Sequence, residues 1–350
     1  MMFNINGVRT VNLNLSSTTI NTLAEHWKDF AETITPYPDD FEGKGIVICA
    51  GGRFFSCCWV LINTLRIDMC CSLPIQVWYS GDEMTPKHID ILSELNVSCH
   101  NFLDYEEGEE AEGYMMKPLA IKLSSFREVL YLDADNICLI NPDTLFDLPE
   151  YKNTGAMFWP DYWITDKNNP IWEIIGCPAN DNKEQESGQL LINKEKCWPQ
   201  INLALYFNVN KHVYYKLLHG DKDTFRFAWL ALGKEFYFIN HEVASGGYYD
   251  EYDNFIGNTM VQYLPDGSIG FLHRNLIKWD KSDINKRVWQ KIKKFRTPSL
   301  NKEYYTYWDE KKEHSVMNIE GDIDIFDFDP FCKSIEAKSL DYLQYIRSIL

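Results

Sequence analysis

Between Gly45 and Asp135, short apolar runs alternate with stretches of helical period. "GIVICAGG" (Gly45–Gly52) is apolar and stopped by glycines, the pattern of a buried strand entering a tight loop. "FFSCCWVLINTLRI" follows with apolar residues at helical spacing. "LPIQVWYSGDE" (Leu73–Glu83) predicts a second strand and "PKHIDILSELN" a second helix. After an acidic loop, "EEGEEAEG" (Glu106–Gly113), "KPLAIKLSSF" (Lys117–Phe126) predicts a third helix and "EVLYLDAD" a third strand. Strands alternating with helices imply an α/β fold, with a Rossmann-like, mainly parallel central sheet flanked by helices. In such sheets ligands sit at the carboxyl ends of strands.

The flanks differ in character. Residues 1–40 are polar and weakly periodic, and predict an extension with one helix around Ile20–Thr33 that ends in "TPYPDD". Residues 41–280 form the main domain. Residues 281–350 predict a helical and acidic extension: a charged helix over "INKRVWQKIKKF", an acidic run "EGDIDIFDFDPF", and a final helix "SLDYLQYIRSIL".

Composition narrows the function. The 350 residues are 45% apolar and 15% aromatic, enough for a sizeable core. A net charge of −17 argues against a nucleic-acid or anionic-membrane binder, which needs a basic face. No segment approaches the ~18 apolar residues of a membrane span, and the first residues lack a signal-peptide layout. The expected location is the cytoplasm, or the Golgi lumen if an anchor precedes this chain. The ten cysteines contain no CxxC pair and read as small core residues, which fits a cytoplasmic chain; there the sequons at Asn14 and Asn96 would be chance matches.

The chemistry concentrates in "VLYLDADNICLINPDTLF" (Val129–Phe146), where a greasy strand ends in Asp133 and Asp135. An ionised carboxylate beside apolar surroundings must be paired, solvated or metal-bound. Alternate strand residues share a face, so both can hold one hard divalent cation that keeps open positions for phosphate oxygens. Other Asp-x-Asp pairs occur, such as Asp322/Asp324, but without a preceding apolar strand they read as solvated. "GFLHRNLIKW" (Gly270–Trp279) places His273 after another apolar segment. His plus two carboxylates suits Mn²⁺ or Mg²⁺. Lys278 is a cation for a diphosphate.

"GYMMKPLAIKLSSFREVLYLDADNICLINPDTLF", "WPDYW", "ESGQLLINKEKCW" and "GDKDTFRFAWLALG" resemble the fungal Golgi α-mannosyltransferases that branch mannan, glycosyltransferase family 71, over roughly Gly45 to Trp279. A looser similarity links the chain to glycogenin-like retaining transferases. The resemblance implies a GT-A fold, a GDP-mannose donor, Mn²⁺ and a glycan or glycoconjugate acceptor. It implies Asp133, Asp135 and His273 as metal ligands, with Lys278 on the diphosphate. Glu186, Ser187, Gly188 and the adjoining Gln189 fall where the looser relatives bind the donor sugar through Asn-Ser-Gly. Asp223 matches an aspartate near that sugar, and Asp161 one that faces the hexose. A retaining reaction needs a carboxylate nucleophile, for which Asp223 and Glu186 are candidates, or same-face attack.

Other donor contacts are weaker. The loop Ala50, Gly51, Gly52 and Arg53 lets backbone approach the nucleotide, and Lys117 is a further cation. Trp159, Tyr162 and Trp163 are either sugar-stacking or core aromatics. Three alternatives stay open: a UDP-hexose transferase of the glycogenin-like type, a haloacid-dehalogenase-type phosphohydrolase, and a non-catalytic nucleotide-sugar binder.

Overall fold

The structure, a computed structural model, describes residues 1–108, 113–280, 287–309 and 314–349. Its main sheet has nine strands. Three parallel neighbours of its centre are Lys44–Cys49, Ile75–Tyr79 and Val97–Asn101, with Glu128–Asp133 parallel on the other side of Lys44–Cys49. Lys183–Asn193 then runs antiparallel to Glu128–Asp133, and Ala156–Thr165 antiparallel to Lys183–Asn193. The central strands read as continuous apolar runs because both faces are covered. Ile46, Ile48, Leu130 and Leu132 enter one core. Val47, Val129 and Tyr131 enter the other, under the helices Met116–Leu123 and Lys194–Val209. This is the α/β architecture that the alternation predicts.

The first forty residues are tied to this sheet. Val8–Thr10 lies parallel to Ala156–Thr165 and buries Arg9 completely. The helix Ser17–Thr33 is capped by Ser16, whose Oγ accepts from the Thr19 amide at 3.1 Å. Its Trp27 is buried and donates to the Ile174 carbonyl at 2.8 Å.

A second, six-stranded sheet runs Ile323–Asp327, Lys291–Phe295, Ala244–Tyr249, Phe255–Tyr263, Ile269–His273 and Asn136–Cys138. The expected boundary near residue 280 therefore falls between two strands of one sheet. The charged stretch 284–295 is not a helix where it is described. Lys291–Phe295 is a strand paired on both sides, while residues 281–286 lie outside the described ones. Cross-strand pairing outweighs the local helical pattern here. Ile292 and Phe295 are buried, and Lys293 is buried against Glu320 (2.8 Å) and Asn318 (2.9 Å). Part of the acidic run likewise forms Ile323–Asp327, and the final helix begins earlier than predicted, at Pro330. Cys57, Cys58 and Cys138 are core residues as expected, whereas Cys70 is exposed.

Candidate active site

The acidic pair sits where the two sheets meet. Asp133 ends a main-sheet strand, and Asn136, three residues on, begins a strand of the second sheet. Asn136 pairs in register with His273, and the Arg274 amide donates to the Asp135 carbonyl at 3.0 Å. That register brings His273 to the acidic pair. Its Nε2 lies 3.1 Å from Asp135 Oδ1 and 3.9 Å from Asp133 Oδ2. Its Nδ1 lies 2.9 Å from Glu186 Oε1. Burial lowers the His273 pKa, but Asp135 and Glu186 outweigh burial and raise it to about 10. Burial likewise raises the Asp135 carboxyl, but His273 and Lys278 hold it well below the ordinary range. Asp133 is pushed up, chiefly by burial.

Lys117 closes the inner side. Its ammonium reaches Asp133 (3.1 Å), Asp221 (3.0 Å), and the carbonyl and hydroxyl of Ser187 (2.9 and 2.8 Å). The Tyr131 hydroxyl donates to Asp133 at 3.0 Å. Lys278, partly exposed, pairs with Asp135 on the outer side, and its ammonium lies 5.4 Å from the Phe54 ring centre. This places the Ala50–Arg53 loop at the same mouth, because Cys49 is in register with Asp133. Ala50 and Gly51 are buried and Arg53 is exposed.

Gly188 is required by close approach. A Cβ there would stand 2.4 Å from His273 Nδ1 and 2.5 Å from Glu186 Oε1. Gln189 donates to Glu186, and Asn136 donates to both the Gly188 carbonyl (2.8 Å) and Gln189 (2.7 Å). The run from Glu186 to Gln189 is thus assembled around His273.

One atom each from Asp133, Glu186 and His273 lie within 4.8 Å of one another. This trio differs from the expected Asp133, Asp135 and His273, since Asp135 stands against the same histidine but also holds Lys278. Asp133, Asp135, Glu186 and Asp221 set four carboxylates against Lys117 and Lys278. With His273 protonated, as its raised pKa requires near neutral pH, one negative charge is left over; a metal bound there would displace that proton, and the oxygen-and-imidazole donor set fits a hard divalent cation.

Asp161 and Asp223 belong to a neighbouring cluster. Lys222 contacts Asp161 (2.8 Å), Glu184 (2.5 Å) and Asp223 (3.2 Å). Arg9 pairs with Glu184 at 2.6 Å and Arg226 with Asp223 at 3.1 Å. Asp223 is fully buried between cations and accepts from the Gln185 amide at 3.0 Å, so here it braces the strand rather than facing a cleft. Trp159 is likewise core, donating to the Tyr263 carbonyl at 2.8 Å. Tyr162 and Trp163 are also buried. Asp221, which the sequence reading passed over in favour of Asp223, is the residue that joins Lys117 to Ser187, its Oδ2 accepting from the Ser187 hydroxyl at 3.2 Å. Its signal is its place at the N-cap of the helix Lys222–Ala231.

The site thus combines an acidic strand end, a histidine from a second sheet, Lys117 on its inner side and Lys278 at its mouth. The chain belongs to the family described as "Mannosyltransferase putative", which matches residues 43–185 and 177–264. It is 30% identical to alpha-1,2-mannosyltransferase MNN2 of Saccharomyces cerevisiae, over 72% of this chain and 51% of that protein. It is 29% identical to alpha-1,2-mannosyltransferase MNN22 of Candida albicans, over 63% of this chain and 46% of that one. The chain thus spans about half the length of these relatives. Among solved structures, the galactosyltransferase LgtC with donor and acceptor sugar analogues aligns at a TM-score of 0.40 and 16% identity, over 57% of this chain and 73% of that one. No helix of the described residues is long and apolar enough to cross a membrane.

Proposed function

We propose that this chain transfers mannose from GDP-mannose to a hydroxyl of a glycan acceptor, forming an α linkage with retention. The observation that carries the reading is the buried cluster of Asp133, Asp135, Glu186 and His273 at the strand end of a chain in a mannosyltransferase family. Asp133, Asp135 and His273, with Glu186 adjoining, would hold Mn²⁺ or Mg²⁺. Such an ion screens the charge that develops on a departing diphosphate. Lys278 can swing from Asp135 to a phosphate oxygen, because its side chain is 42% exposed. Arg53 reaches the same mouth from the glycine loop. Lys117 and Asp221 fix Asp133 and Ser187 before any ligand arrives, which is preorganisation rather than contact. For double displacement Glu186 is our candidate nucleophile, since it adjoins the proposed metal ligands, whereas Asp223 is held between Lys222 and Arg226. In same-face attack the leaving phosphate accepts the acceptor's proton and no protein base is needed. The linkage follows the α-1,2 named for the relatives.

The test is a transfer assay with GDP-mannose, Mn²⁺ and an α-mannoside acceptor, read by mass spectrometry for one added hexose and by NMR for its anomeric configuration. Transfer with an α product supports the reading. Transfer only from a UDP-hexose would keep the class and replace the donor. No transfer from any nucleotide sugar would remove the reading.

A further inference from the structure

A cavity lies beside the acidic cluster, not on it. Its volume is about 650 Å³, within the ~300–1,000 Å³ of small-ligand sites. Asn182, Lys183, Phe236, Asn240, Lys302 and Tyr304 are among its walls. Lys183 and Glu186 lie three residues apart on one strand, so the cavity begins ~10 Å from Glu186 along the strand direction. Pro160 and Ile164, which flank Asp161, line it too.

The lining has the chemistry of a sugar site. Asparagine amides offer donors and acceptors together, as vicinal hydroxyls require. Phe236 and Tyr304 supply apolar ring surface. The charges are muted. Lys302 is paired with Glu242 at 2.5 Å. Among the described residues, Lys183 donates to the Tyr162 carbonyl (2.6 Å) and the Tyr304 hydroxyl (2.8 Å), which leaves one of its three donors for a ligand. Burial presses its pKa down to about 8, so near neutral pH it remains mainly an ammonium and keeps that third donor.

From this placement we propose that the cavity is the acceptor site: it holds a neutral hexose oligosaccharide, with the reacting end directed toward Glu186. The inference rests on the transferase reading for its role, but binding can be measured without catalysis. Asn182 and Asn240 are exposed residues on the cavity wall, so Asn182→Trp and Asn240→Trp fill the cavity with little risk to folding. The probe is an α-linked mannotriose, measured by calorimetry and saturation-transfer NMR. The wild type should bind it, and each variant should weaken it tenfold or more. Both variants should keep the wild-type thermal shift with GDP and Mn²⁺. Unchanged mannotriose affinity in both variants, or no binding by a wild type that still responds to GDP, would overturn the site. A wild type that binds mannotriose through this cavity but responds to no nucleotide would uphold the site and remove the transferase reading.

Discussion

His273 Nε2 lies 3.1 Å from Asp135 Oδ1, although 138 residues separate them. The contact exists because the chain leaves the main sheet at Asp133 and enters the second sheet at Asn136, opposite His273. The acidic pair and the histidine are therefore held by two sheets at once. This is the geometry expected of a preorganised charge site.

Asp135→Asn keeps the shape and an acceptor for His273 while removing the charge. The variant should still fold, at a lower denaturation midpoint because His273 and Lys278 lose their counter-charge, and lose about 10²–10³-fold in transfer rate. Steady-state kinetics beside circular dichroism checks both halves. Wild-type turnover in the folded variant would mean that Asp135 takes no part.

Gly188→Ala drives a methyl group against His273 and Glu186. Overpacking costs about 1–3 kcal/mol, and the displaced imidazole should weaken Mn²⁺-dependent GDP binding about tenfold or more. Calorimetry at fixed Mn²⁺ reads this directly. Unaltered affinity would show that His273 does not shape the donor site.

Lys117 balances Asp133 and Asp221 in a buried setting. Removing one partner of such a set costs about 3–5 kcal/mol, because the remaining charges are left uncompensated. Lys117→Met should show this loss in urea denaturation. The double variant Lys117→Met/Asp221→Asn should lose less than the sum of the two single variants. Strict additivity would mean the two side chains are not coupled.

Much of this site was legible because the signals are local. Val129–Leu132 is a buried strand, so the carboxylates after it fall at a strand end, and "GFLH" does the same for His273. The contact between Glu186 and His273 is different. It depends on two strand registers, Leu132 with Gln189 and His273 with Asn136, which no single segment encodes. Asp221 and Asp223 look alike as an Asp-x-Asp pair. Only the helix start separates them, turning Asp221 to Lys117 and Asp223 to Lys222 and Arg226. Lys291–Phe295 reads as part of a charged helix because the strand Ile323–Asp327 that pairs with it and the Glu320 that neutralises Lys293 lie more than 20 residues on.

Lys194 gives a pH signature away from the site. Its buried amine donates to the carbonyls of Lys122 (3.0 Å) and Ser124 (2.6 Å), and burial presses its pKa down to about 6 from an ordinary 10.5. Between those values the unfolded chain binds one more proton than the folded one. Its contribution therefore grows more favourable as pH rises through that window, by at most about 1.4 kcal/mol per pH unit. Stability of the wild type relative to Lys194→Met should climb from pH 7 to 9 in denaturant titrations. A flat or falling difference would mean that Lys194 stays charged when folded.

The most direct test of the central claim is thermal unfolding with Mn²⁺ against GDP, GDP-mannose and UDP-sugars, in the wild type, Asp135→Asn and His273→Ala. Ligand at about 100 times its Kd adds about 2.7 kcal/mol, enough to move Tm visibly. The predicted result is stabilisation by GDP and GDP-mannose that requires Mn²⁺ and disappears in both variants. No response to any nucleotide, or a response that both variants retain, would contradict a metal-held nucleotide at the junction of the two sheets.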